Sequence, residues 1–186
     1  MIIAGFFMFV LKCFYLLLPG AFANMAPVLF KKVNFLNYPV DLGKKWKGKP
    51  LFGSHKTFRG FFFAILLSII IVYLQKLLFT NHTFFRSISF IDYTAYNTIL
   101  LGFLVGFGVT FGDLIESFFK RRARIKPGRP WIPWDQLDCV IGGLLFIAII
   151  YIPPVEVIVF LVIVVPLLHI AINHIGYYMG INSSKW

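Results

Sequence analysis

The stretch GRPWIPWDQLD, residues 128–138, ends on two carboxylates, Asp135 and Asp138, set just ahead of an apolar run. Three positions apart on a helix, they share one face. A second acidic pair closes the preceding apolar run. In GDLIESFFKRR, 112–122, Asp113, Glu116, Ser117, Lys120 and Arg121 fall at i, i+3, i+4, i+7 and i+8, again one face. That face opens on carboxylates and closes on cations, while Leu114, Ile115, Phe118 and Phe119 point toward lipid or neighbouring helices. An aspartate at the centre of a membrane helix costs about 2.5–3.5 kcal/mol on insertion scales, so a purely structural role is a poor account of it. Capping explains one of Asp135 and Asp138, because an aspartate near a helix N-terminus satisfies free N–H groups and complements the dipole. It does not explain a pair that faces Asp113 and Glu116 across a short hairpin.

Hard oxygen ligands of this kind suit Mg²⁺, which takes one or two carboxylates and completes its shell with water and substrate phosphates. Lysine and arginine beside them suit the remaining phosphate oxygens. The ligand expected from these residues is therefore a metal-bound polyphosphate. The connecting loop, RARIKPGRPWIPWDQLD, is cationic and stiffened by Pro127, Pro130 and Pro133, with Gly128 permitting a tight turn. A second loop, GKPLFGSHKTFRG at 48–60, brings Lys56, Thr57 and Arg59, which could close over phosphates from the other side. The same loop also reads as a juxtamembrane basic segment drawn to anionic lipid at about 1 kcal/mol per charge. Asn24 is either a helix-packing hydrogen bond or part of a polar pocket. His169 and His174 read as packing or interfacial residues. Neither a phosphate-binding P-loop, a dinucleotide fingerprint nor a Ser-His-Asp arrangement is present.

These residues must be positioned by a membrane bundle. Of 186 residues, 59% are hydrophobic and 13% charged, against roughly half and a quarter in soluble domains. Five runs are long and apolar enough to read as spans, about 4–30, 60–79, 97–119, 137–152 and 155–176. The fold expected is all-α, a polytopic bundle of five transmembrane helices forming a single catalytic domain over 1–186. Pro19, Gly20 and Pro27 predict a bend or break in the first span. Gly102, Gly106, Gly108 and Gly112 allow close helix contact in the third. The first run lacks a basic leader and is read as a retained helix. Cys13 and Cys139 both fall in apolar segments and are read as packed free thiols.

The 18 Lys+Arg against 7 Asp+Glu give a formal net charge of +11, which in a soluble chain would prompt a nucleic-acid reading. Here the basic residues concentrate in 31–59 and 120–136, between apolar runs, as cytoplasmic loops do. That asymmetry predicts an N-terminus outside, a C-terminus inside near Lys185, and chemistry at the cytoplasmic face of the cell membrane. Neither a nucleic-acid partner nor an obligate protein partner is expected.

Ser117-Phe118-Phe119-Lys120-Arg121 through Asp135-Gln136-Leu137-Asp138 resembles the signature of the CDP-diglyceride synthases, membrane CTP:phosphatidate cytidylyltransferases. Pro127 after Lys126, where the broad pattern has an acidic residue, and Gln136, where it has arginine, are similar to the archaeal branch, the CDP-archaeol synthases. LPGAFANMAPVL (18–29), GKPLFGSHKTFRG (48–60) and NHIGYYMGINSSKW (173–186) extend that likeness over essentially the whole chain. The resemblance implies a five-helix, Mg²⁺-requiring enzyme that joins CTP to 2,3-di-geranylgeranyl-glycerol 1-phosphate, giving CDP-archaeol and pyrophosphate. It implies one or two ions held by Asp113, Asp135 and Asp138, with Glu116 a further ligand or orienting group. Lys120, Arg121 and Lys126 would hold the triphosphate, Ser117 would donate to a phosphate or a metal-bound water, and Lys56, Thr57 and Arg59 would assist from the first loop. Two alternatives stay open: a phosphatidate cytidylyltransferase, and a non-enzymatic lipid- or phosphate-binding transporter. A CDP-alcohol phosphotransferase fits poorly, because Asp138 is followed by Cys139-Val140 rather than that family's aspartate-glycine run.

Overall fold

In the computed structural model, residues 2–126 and 129–180 are described. The part of the likeness that falls on 181–186, Lys185 included, and the expected roles of Pro127 and Gly128 lie outside them. Among the described residues the order is α1 (Ile2–Leu29), β1 (Lys45–Trp46), β2 (Lys49–Pro50), α2 (Phe58–Asn81), α3 (Thr83–Ser87), α4 (Thr98–Arg122), α5 (Trp134–Ile147) and α6 (Val155–Tyr178). Helices α1, α2, α4 and α6 are long and apolar enough to cross a membrane. Helix α5 has 14 residues, about 21 Å at 1.5 Å per residue, and stops short of the roughly 30 Å hydrocarbon core. Residues 148–150 then form a turn and 151–154 run irregularly, where the sequence reading continued the span to 152. Among the described residues the bundle is all-helical apart from the two-residue strands of one hairpin and an isolated antiparallel bridge between Pro39 and Thr57.

The first helix does not break. It runs unbroken through Pro19 and Pro27. A proline removes one N–H and strands the carbonyl four residues earlier, which for Pro19 is that of Tyr15. Gln75 of α2 supplies the missing donor: its Nε2 donates to the Tyr15 carbonyl at 2.6 Å, with Gln75 itself 2% exposed. The defect in one helix is thereby converted into a lock between two.

Helix α4 is the most buried of the four long ones and packs mainly on α5 and α2. Its glycines divide the work by face. A Cβ at Gly102 would meet the Ile69 backbone at 2.5 Å, and one at Gly106 the Ile65 Cα at 2.8 Å, so α2 lies against that face. Gly108 and Gly112 instead face the backbone of Gly142 and Asp138 on α5. The core continues away from the polar end through Tyr15, Val72, Phe79, Tyr93 and Leu101.

The loop before α2 is an ordered structure in its own right. Residues 36–40 pair with 56–59 through Val40 N to Lys56 O (2.7 Å), Phe58 N to Tyr38 O (3.0 Å) and Arg59 N to Leu36 O (2.8 Å). Asp41, 5% exposed, accepts from the backbone N–H groups of Gly43, Phe52 and Gly53. The hairpin is tied to the end of α4, where Arg122 Nη2 donates to Pro50 O at 2.8 Å and Lys49 Nζ donates to Arg122 O at 3.0 Å. Both basic loops therefore sit at one end of the bundle.

Candidate active site

The site grows from the Gly112 contact. With no side chain at 112, α5 reaches the α4 backbone at Asp138, which sets Asp138 beside Asp113. One turn further along α4, Glu116 turns inward and is buried. Oxygen atoms of Asp113, Glu116 and Asp138 lie within 4.8 Å of one another. Glu116 Oε1 is buried without a hydrogen bond, its nearest cation being Lys120 Nζ at 3.3 Å. Three carboxylates converging within 4.8 Å, one with a buried oxygen met by the Lys120 ammonium, form a donor set that fits a hard divalent cation such as Mg²⁺.

Two lysines neutralise the group. Lys56 Nζ lies 2.5 Å from Asp113 Oδ1. Burial acts to strip the Lys56 proton, but Asp113, with Glu116 and Asp138 behind it, outweighs burial and holds the ammonium above the ordinary lysine value. Lys120, 9% exposed, bridges Glu116 at 3.3 Å and Asp135 at 2.6 Å. The second oxygen of Asp135 accepts from Trp131 N at 2.8 Å. Asp135 thus braces the proline-rich turn against α4 and also contacts Glu116, at the edge of the trio whose oxygens lie closest together. Ser117 is buried, and its Oγ donates to Glu116 Oε2 at 3.3 Å.

Other expected residues fall nearby in different states. Thr57 is the N-cap of α2, accepting from Gly60 N at 3.3 Å, and also lines the cavity beside Asp113. Arg59 Nη1 donates to Val33 O at 2.8 Å, and its Nε is buried without a hydrogen-bond partner, as is that of Arg121. Lys126 is exposed on the connecting loop. The cavity, ≈ 210 Å³, is lined by Asn24, His55, Lys56, Thr57, Thr110 and Asp113 among others. A neighbouring one of ≈ 300 Å³ shares His55 and Thr57 and adds Lys31, Ser54 and Arg59. Asn24 does both things the sequence left open: it lines the cavity and accepts from Cys139 Sγ at 3.2 Å. Cys13 and Cys139 are free thiols.

Three residues of consequence were not singled out from sequence. Asp41 organises the loop that carries Lys56, and its Asp-x-Gly spacing is the one local signal for such a turn. Arg122 was counted only as loop charge, yet it clamps the hairpin and stacks over Phe118 at 4.3 Å. Thr110 reaches the cavity one turn before Asp113, and its hydroxyl also donates to the Gly106 carbonyl at 3.0 Å, so nothing in its type announced it.

The chain is similar to known proteins over nearly its whole length. The family described as CarS-like, CDP-archaeol synthase, matches residues 6–186. The CDP-archaeol synthase of Thermococcus onnurineus is 36% identical over 177 residues, 95% of this chain and 96% of that one. That of Methanocaldococcus jannaschii is 33% identical over 182 residues, 97% of this chain and 99% of the other. A solved structure described as "Structural insight into an intramembrane enzyme for archaeal membrane lipids biosynthesis" aligns with a TM-score of 0.68 at 31% identity, over 86% of this chain and 90% of its own. The chain belongs to the CarS-like CDP-archaeol synthase family.

Proposed function

We propose that the chain joins CTP to the phosphate of an isoprenoid ether lipid, 2,3-di-geranylgeranyl-glycerol 1-phosphate, releasing pyrophosphate and leaving CDP-archaeol in the membrane. The observation that carries this reading is the convergence of Asp113, Glu116 and Asp138 within 4.8 Å at the end of the bundle where both basic loops meet. Family membership names the reaction, and the trio supplies a place for its charge.

Asp113, Glu116 and Asp138 would hold Mg²⁺, one ion or two, with Asp135 and Lys120 fixing the outer edge of the site. Bound there, the ion supplies neutralisation of charge on the phosphate oxygens. A lipid phosphate monoester is already largely dianionic at pH 7, its second pKa being about 6, so no protein nucleophile is needed. One of its oxygens forms a bond to the α-phosphorus of CTP while the bond from that phosphorus to the bridging oxygen of pyrophosphate breaks. The electron pair leaves on pyrophosphate. The chain's own part is alignment and charge: Lys56, Arg121 and Lys126 meet triphosphate oxygens, Lys120 keeps the carboxylates in register, Ser117 orients Glu116, and Thr57 and Arg59 hold the rim of the first loop.

The membrane reading extends the same logic. Five crossings, with α5 and the turns after it as the fourth, put the N-terminus outside, the C-terminus inside and the site at the cytoplasmic face, as the basic loops favour. The whole chain then acts as one catalytic domain whose apolar body keeps the lipid chains in the bilayer. Pyrophosphate release from purified protein with Mg²⁺ tests the reaction, comparing CTP with other nucleotides and the ether phosphate with phosphatidic acid. Release that requires CTP and prefers the ether lipid supports it, and equal release from phosphatidic acid points to the diacyl reaction. No release under any pairing removes it in favour of lipid or phosphate binding alone.

A further inference from the structure

Lys56 reaches the carboxylates from a backbone with little freedom. Its carbonyl accepts from Val40 N at 2.7 Å, its N–H donates to Gly53 O at 3.3 Å, and the next residue caps α2. Asp41 pins the turn at Phe52 and Gly53 immediately before it. The movable part is therefore the side chain, a four-carbon stem carrying a compact charge. Its ammonium rests on Asp113 Oδ1 at 2.5 Å, and it is drawn by Glu116 and Asp138 as well. Those three residues are the ones whose oxygens could share a divalent ion.

An ammonium and a divalent ion at the same carboxylate compete. Mg²⁺ takes a carboxylate oxygen at about 2.0–2.1 Å and demands near-octahedral geometry, so a second cation 2.5 Å from Asp113 Oδ1 crowds and repels it. The displaced ammonium has somewhere to go, since the ≈ 210 Å³ cavity lies beside both Lys56 and Asp113 and is lined by the polar groups of Asn24, Thr57 and Thr110.

We propose that Lys56 is the resident counter-ion of the Asp113–Glu116–Asp138 group, and that the divalent ion arriving with the nucleotide takes its place, transferring the ammonium to a phosphate oxygen in the adjoining cavity. The exchange rests on the metal reading above and adds a consequence to it. Without nucleotide the metal must evict a cation that has no new partner, so it binds weakly. With a triphosphate present the evicted ammonium gains one, so metal and nucleotide enter together. Lys56 thus couples the two binding events, and the three carboxylates are never left facing one another without a cation.

Mn²⁺ binding to the full-length protein in detergent, followed by electron paramagnetic resonance, tests this. In the absence of nucleotide, Lys56→Met should bind Mn²⁺ roughly tenfold more tightly than wild type, and Lys56→Arg should not. In wild type, Mn²⁺ alone should raise the rate at which Lys56 is acylated by an amine-directed reagent, a readout that needs no variant to fold. Mn²⁺ uptake that Asp138→Asn abolishes but that is no tighter in Lys56→Met overturns the exchange and leaves the metal site standing. An unchanged acylation rate at saturating Mn²⁺ overturns it equally. Wild-type protein that takes up no Mn²⁺ even with CTP removes the metal site, and the exchange with it.

Discussion

Gly112 and Asp138 touch through their backbones so closely that a Cβ on the glycine would overlap the aspartate's carbonyl oxygen. This contact is what sets Asp138 beside Asp113, so helix packing and site geometry are one feature. Gly112→Ala should force α5 away, costing about 1–3 kcal/mol of stability from overpacking and reducing turnover more than that loss alone accounts for. Gly5→Ala, where nothing lies within 4 Å, should leave both unchanged. Thermal unfolding in detergent and pyrophosphate release, measured on the same preparations, check the pair.

Gln75 answers the carbonyl that Pro19 leaves unpartnered. Gln75→Leu should therefore destabilise the chain by about 1–2 kcal/mol, the range for a lost buried hydrogen bond in a membrane bundle. Pro19→Ala restores an amide donor to the Tyr15 carbonyl. The double variant should accordingly lose less than the sum of the two single ones. Denaturant unfolding of all four proteins closes that cycle, and strict additivity would disconnect the two positions.

Asp41 carries the pH dependence of the first loop. Burial pushes its carboxyl up, but the N–H groups of Gly53, Phe52 and Gly43 outweigh it and hold the group below the ordinary aspartate value. Its stabilisation is therefore complete above the unfolded-state pKa, about 4, and is lost as pH falls through the lower folded value. Proteolysis within residues 30–57 should accelerate below about pH 4 in wild type. Asp41→Asn should be cleaved faster at neutral pH and show little further change on acidification.

Asp135 and Asp138 look equivalent in sequence and should behave differently. Asp135→Asn removes a brace and should weaken Mn²⁺ binding by about tenfold, as outer partners of metal ligands do. Asp138→Asn removes a ligand and should weaken it by more than about a hundredfold. Equal losses would place Asp135 among the ligands as well.

The carboxylate stripe, the glycines of α4 and the two basic loops were legible because each depends on residue type at helical spacing. The bracing contacts of Asp135 were not, because they turn on Lys120 reaching across to it and on the Trp131 N–H, neither of which has a periodic signature. The continuity of α1 was hidden for a similar reason. Proline signals a break, and the compensating donor sits 60 residues away on Gln75. Likewise the helical part of the fourth span stops five residues short of its apolar run, because residues 148–152 are as apolar as a span while the chain turns ahead of Pro153-Pro154.

The most direct test of Asp138 as a metal ligand is CTP-dependent pyrophosphate release on the isoprenoid ether phosphate by Asp138→Asn, with Mg²⁺ titrated and folding followed by the unfolding midpoint. A loss of about a hundredfold or more is expected at saturating Mg²⁺, with the midpoint held near wild type. Turnover close to wild type at the same Mg²⁺ requirement would contradict it.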